Sequence, residues 1–182
     1  MQELISGSLT DMNPSTFQPF ESRIDEFSNR HPDAPKREII LSRLYFHVFK
    51  LINEKQNHRL SAFGLNSTSW FALIMIYSTT DNAINPCNLS YAMVSSRTNI
   101  TRLSDELVEK GWVERHASGE DRRKIVLSLT PKGRQLVETV LPEQWRYYRE
   151  LWAGFDAGEL EQFETLLRKL LARIDEGGSC AE

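Results

Sequence analysis

The segment that most restricts how this chain can fold runs from Pro86 to Gly133, where two short helical patterns stand end to end and two strand patterns follow at once. Pro86 suits the first turn of a helix carrying Leu89, Tyr91, Ala92 and Met93, because its missing N–H would have no partner there anyway. Ser95 or Ser96 then caps a further helix with Ile100, Leu103, Leu107 and Val108 on its inward face and a Lys110-Gly111 stop at its end. Trp112, Val113, Glu114 and Arg115 read as a strand and Ser118-Gly119-Glu120-Asp121 as a turn, and residues 124–129 alternate, with Ile125, Leu127 and Leu129 on one face. A helix-turn-helix followed by a hairpin is the winged form of the DNA-reading unit: one helix enters the major groove and the hairpin tip reaches toward the backbone or minor groove.

The flanking sequence is helical. Residues 1–35 hold Pro14, Pro19, Pro32 and Pro35 and read as an irregular arm, from which Phe17, Phe20, Ile24 and Phe27 dock a short helix or remain in a loose tail. From Lys36 apolar residues recur at helical spacing with no breaker until Gly64. Asn66 or Ser67 caps a second helix over 68–78, apolar almost all round and therefore central. Thr130-Pro131 opens a helix that Pro142 should interrupt or kink, and a last helix runs from Gly158 or Glu159 to Asp175. The expected architecture is mainly α with a small β-hairpin wing. It comprises an arm (1–35), a helical dimerisation region (36–64 and 131–176), a winged helix-turn-helix (65–130) and a flexible tail (177–182). The apolar stripe of the last helix and the aromatic run from Trp145 to Trp152 are too apolar to leave in water and support a dimer.

Charge first argues against a nucleic-acid partner, because the formal net charge is −3. Its distribution reverses the argument: residues 95–134 hold nine basic and six acidic side chains, leaving thirteen basic against nineteen acidic elsewhere. Ser95, Ser96, Thr98 and Asn99 suit base edges or phosphates, and Arg97 and Arg102 add charge and guanine recognition. The same face also has a plain reading as a solvated surface. Arg122, Arg123 and Lys124 are consecutive cations beside Gly119 at the expected hairpin tip, Arg123 being the candidate for the minor groove and Asp121 for orienting a wing arginine.

Other classes have little support. His31, His47, His58 and His116 are scattered without metal-ligand spacing, no glycine-rich phosphate loop or nucleophile turn is present, and neither an enzyme nor a metal or cofactor is expected. No segment is long and apolar enough for a bilayer, and no secretory pattern opens the chain, so no membrane partner and a cytoplasmic address are expected. Cys87 and Cys180 read as a buried side chain and a free tail thiol. The rival reading is a winged-helix protein-interaction module without ligand control.

The run Ser95-Ser-Arg-Thr-Asn-Ile-Thr-Arg-Leu-Ser-Asp-Glu-Leu, then Lys110-Gly-Trp-Val-Glu-Arg, then Asp121-Arg-Arg with Leu129-Thr-Pro-Lys-Gly133, resembles the recognition helix and wing of the MarR family of bacterial repressors. The likeness spans roughly residues 38–175 and is nearest to the multidrug-efflux repressor branch, through Ile40-Leu-Ser-Arg-Leu, Gly64-Leu-Asn, Phe71-Ala-Leu-Ile and Ser95-Ser-Arg-Thr-Asn. The resemblance implies a homodimer with intertwined first and last helices, a palindromic double-stranded DNA operator, and release by a small aromatic or phenolic effector, with efflux or aromatic-compound genes as targets. By position it makes Arg43, His47, Trp70, Ile74 and Trp112 candidate effector contacts, although each also reads as plain core. The arm exceeds the minimal family pattern, and the first long helix lacks the cysteine of the peroxide-sensing branch, which disfavours that branch.

Overall fold

The structure, a computed structural model, describes residues 16–117 and 125–178 and divides into two compact units, the first ending at Trp70 and the second beginning at Phe71. In the first unit α1 (Gln18–Arg30) lies on α2 (Lys36–Ser61). Phe17 is buried, and its ring and that of Phe20 stand 5.5 and 5.6 Å from the His47 imidazole on α2. A 2.9 Å ion pair between Lys36 and Asp25 ties the two helices near the loop that joins them. Leu41, Tyr45, Phe46, Val48 and Phe49 on α2 remain exposed within the single chain.

α2 ends where Gly64 adopts φ 71°, a left-handed conformation that lets the Leu65 N–H reach back 3.1 Å to the Leu60 carbonyl. The next helix, α3 (Ser67–Tyr77), is capped by Asn66, whose side-chain oxygen accepts from the Ser69 N–H at 2.8 Å while Ser69 Oγ accepts from the Asn66 N–H at 2.9 Å. Ser67 is also held by Asn57 and Asn53 of α2. Trp70, Ala72, Leu73 and Ile76 are buried, in keeping with a helix apolar on nearly every side.

The second unit contains the winged motif. β1 (Ala83–Ile84) leads into α4 (Pro86–Ala92), capped by Asn85, and α5 (Arg97–Glu109), capped by Ser96. β2 (Val113–Ala117) and β3 (Ile125–Leu129) pair antiparallel with Val113 opposite Leu129 and Ala117 opposite Ile125. β1 joins the far side of β3, giving the order β1-β3-β2. This third strand was not anticipated, since two residues are too few to show an alternation. Leu89, Ile100, Leu107, Val113 and Leu127 form the core of the unit.

Three expectations are corrected or sharpened. α6 (Pro131–Trp152) runs through Pro142 as one helix, so of the interruption or kink expected there the interruption does not occur. Pro142 and Glu138 one turn before it are both exposed, a setting in which solvent can take up the carbonyl that proline leaves unpaired. Cys87, expected buried, is exposed, because it sits in the first turn of α4 while Leu89 takes the inward position. α7 (Ala157–Gly178) begins with a reciprocal cap, Asp156 Oδ1 accepting from the Glu159 N–H and Glu159 Oε2 from the Asp156 N–H, both at 2.9 Å. Its residues Phe163, Leu166, Leu170, Leu171 and Ile174 stay exposed in the single chain.

Candidate nucleic-acid interface

Helix α5 is oriented by its buried side. Ile100, Leu103 and Leu107 point into the core, and the buried Ser104 hydroxyl is satisfied by donating to the Ile100 carbonyl at 2.7 Å. With that face fixed, helical geometry turns Arg97, Thr98, Asn99, Thr101 and Arg102 to solvent, and all five are exposed. Ser96 Oγ accepts from the Asn99 N–H at 3.3 Å, so its hydroxyl serves the helix end. Ser95 is half-buried and clamps the turn: its N–H donates to the Ser90 carbonyl at 3.0 Å and its carbonyl accepts from Ser90 Oγ at 2.5 Å.

The turn itself carries a β-branched residue in a left-handed conformation, Val94 at φ 47°. Val94 and Tyr91 are almost fully exposed, at 95% and 88%, beside the start of α5. The sequence places Tyr91 on α4 without assigning it a face, because the seven-residue helix is too short for a periodicity to separate its faces.

The cations counted over 95–134 do unlike jobs. Arg115 reaches from β2 to Asp105 on α5 at 2.6 Å and to the Thr101 carbonyl, bracing the wing against the helix. Lys110 pairs with Glu106 at 2.9 Å and lies 4.7 Å from the centre of the Trp112 ring, and Lys132 donates to the Lys110 carbonyl at 2.8 Å. Arg134 lies over the Tyr77 ring. Arg97 and Arg102 have no ion pair among the described residues and remain available to a phosphate or a base. Net charge over a segment conflates these two uses, so the sequence alone could not separate bracing cations from outward ones.

β2 stops at Ala117 and β3 starts at Ile125. Asp121, Arg122, Arg123 and Lys124 lie outside the described residues, as does Cys180. At the described root of the wing, His116 Nε2 lies 3.1 Å from Ser128 Oγ. Among the candidate effector contacts, Arg43 and His47 stand one turn apart on α2 in the first unit, where Trp70 is buried. In the second unit Ile74 is half-buried and Trp112 is 8% exposed. Trp112 is also held by its backbone, which accepts from the Thr130 N–H at 3.0 Å and meets Gly133 closely. Among the described residues no group of His, Cys, Asp and Glu has the arrangement of a metal site, and no helix is long and apolar enough to cross a membrane.

The chain is similar to known proteins of one family. A model of the MarR family matches residues 65–125. The chain is 42% identical over 162 residues to the transcriptional repressor MprA of Escherichia coli, covering 89% of this chain and 92% of that one. It is 32% identical over 156 residues to the HTH-type transcriptional regulator PapX of Escherichia coli, covering 86% and 95%. Among solved structures it is similar to a mutant MarR from E. coli complexed with operator DNA, with a TM-score of 0.68, 29% identity and coverage of 76% and 99%. The fold is shared with AbsC of Streptomyces coelicolor, a MarR family regulator, at a TM-score of 0.73 and 17% identity, covering 79% and 97%.

Proposed function

Because this chain belongs to the MarR family of transcriptional regulators, which are DNA-binding proteins and not enzymes, we propose that it is a cytoplasmic homodimeric repressor of a palindromic operator, released by a small aromatic or phenolic effector. The observation that carries the proposal is the outward face of α5: a capped helix start with Arg97, Thr98, Asn99 and Arg102 exposed together and neither arginine in an ion pair among the described residues. The start of a helix favours phosphate, and the arginine fork matches the acceptor pair of guanine in the major groove. Ser95 and Ser96 set the entry angle of the helix, and Arg122, Arg123 and Lys124, oriented by Asp121, supply the wing contact.

A two-fold dimer places two such helices on half-sites about 34 to 36 Å apart. The exposed apolar residues of α2 and α7 support association of two copies. Release follows if an effector binds better to a conformation in which the two recognition helices no longer match successive major grooves. Arg43, His47, Trp70, Ile74 and Trp112 are the effector contacts this reading nominates, with genes for efflux or aromatic compounds as targets.

The test is fluorescence anisotropy with DNA from upstream of the protein's own gene, with and without salicylate. Saturable, salt-sensitive, sequence-dependent binding that salicylate weakens is expected, and Arg102→Ala should cost about 1–3 kcal/mol of operator affinity with selectivity relaxed at one base pair. Arg123→Ala should weaken operator binding without unfolding the protein. Absence of binding at low salt would return the chain to the protein-interaction reading.

A further inference from the structure

Two exposed apolar side chains adjoin the start of α5: Tyr91 near the end of α4 and Val94 in the turn that follows. The turn fixes both. The Val94 N–H donates to the Tyr91 carbonyl at 3.1 Å, and the next residue, Ser95, is clamped to Ser90 through its own N–H at 3.0 Å and its carbonyl at 2.5 Å. Val94 is thereby held at φ 47°, a conformation that suits glycine and costs a β-branched residue free energy. At 95% exposure its methyl groups recover none of that cost by packing inside the protein. Backbone strain of this kind gathers at binding sites, where a contact outside the fold can repay it. The Tyr91 ring and hydroxyl likewise meet no partner among the described residues.

We propose that this turn reads sequence in its own right: Val94 packs against a thymine methyl in the major groove, and the Tyr91 hydroxyl donates to a neighbouring phosphate. The thymine methyl is the apolar group that base edges present in that groove, and a small apolar side chain is its complement. α4 is the first helix of the motif, the one that crosses the backbone, where a phenolic hydroxyl suits a phosphate oxygen. Arg97, the first residue of α5, follows Val94 by three positions, so the apolar contact adjoins the base pairs read by the start of that helix. This role rests on α5 being the reading helix and adds a second kind of recognition to it. Arg97, Asn99 and Arg102 match donors and acceptors, which thymine and uracil share, whereas Val94 tells the two bases apart.

The experiment binds the full chain to labelled DNA from upstream of its own gene, prepared once with thymine and once with deoxyuridine at every thymine position. That exchange removes the 5-methyl and keeps every hydrogen-bonding group. The parent should lose more affinity on the uracil DNA than Val94→Gly or Val94→Ser does, by about fourfold per half-site, the worth of one methyl-sized group returned to water. Circular dichroism should show both variants folded, with Val94→Gly melting no lower than the parent. Tyr91→Phe should lose about tenfold on both DNAs alike with an unchanged salt slope, since a neutral hydroxyl displaces no counterion. The same thymine-to-uracil ratio for the parent and the Val94 variants would overturn the proposal while leaving the recognition helix in place. That holds even if Val94→Gly weakens both DNAs equally, because a loosened turn misplaces α5 whatever the base. Indifference to Tyr91→Phe would overturn the phosphate contact. Binding to neither DNA at low salt would overturn the proposal together with the reading of α5.

Discussion

Gly133 is the position where the geometry makes the sharpest demand. It lies in the first turn of α6, buried, with its N–H donating to the Thr130 hydroxyl at 3.0 Å. A Cβ placed on it would stand 1.9 Å from the Trp112 carbonyl oxygen and 2.8 Å from the carbonyl carbon, both backbone atoms that no rotamer change can move. Opening the oxygen contact to even 3.0 Å requires the start of α6 to shift by about 1.1 Å from the segment that enters β2. The same carbonyl accepts the Thr130 N–H at 3.0 Å, and the Thr130 hydroxyl donates to the Gly111 carbonyl at 2.7 Å, so the shift strains the bonds that join the helix to the wing. Overpacking of about 1–3 kcal/mol and one weakened hydrogen bond of about 1 kcal/mol give an expected loss of about 2–4 kcal/mol for Gly133→Ala. At fixed protein concentration the melting temperature should fall by roughly 4–16 °C. Gly154 has nothing within 4 Å of the same added atom, so Gly154→Ala should change stability by less than about 1 kcal/mol, upward if at all. Urea unfolding of both variants beside the parent decides the matter. A loss under about 0.5 kcal/mol for Gly133→Ala, or equal losses for both, would refute the packing argument.

Val94 at φ 47° carries the cost of a side chain in the left-handed region, about 1–2 kcal/mol, while glycine gives back about 0.5–1 kcal/mol in backbone entropy. Val94→Gly should therefore raise stability by about 0.5–1 kcal/mol in thermal unfolding, and a clear decrease would mean that the valine side chain is engaged. Asp156→Ala removes one half of the reciprocal cap on α7 and should cost about 1 kcal/mol, with faster amide exchange confined to the first turn of that helix; exchange that rises along its whole length would point to a different role for the aspartate.

Much of this fold was legible in the sequence because its signals are local. Pro86, Ser96, Gly111 and Thr130-Pro131 mark helix boundaries through backbone chemistry that depends on neighbours only a few residues away, and the structure places caps and stops at those residues. Periodicity likewise exposed the inward face of α5, since one buried stripe leaves one outward stripe. The outward positions Arg97, Thr98, Asn99 and Arg102 follow from that stripe without any knowledge of the partner.

What stayed hidden depends on residues far apart in the chain. The strand Ala83–Ile84 exists because β3 offers it an open edge, and two residues have no pattern of their own. Arg115 looked like one more cation of a basic segment until Asp105 on another element claimed it, and Cys87 looked buried until Leu89 took the inward place. α6 passes through Pro142 because one missing hydrogen bond on an exposed face is cheaper than breaking a helix whose Val137, Val140, Gln144 and Tyr147 are buried on either side of it. The sequence by itself thus determined the elements, their boundaries and the face that looks outward, all set by short-range sterics and hydrogen bonding. Only the tertiary structure decided which cations are spent on bracing and which stay free, because ion pairing depends on distances that chain order does not contain.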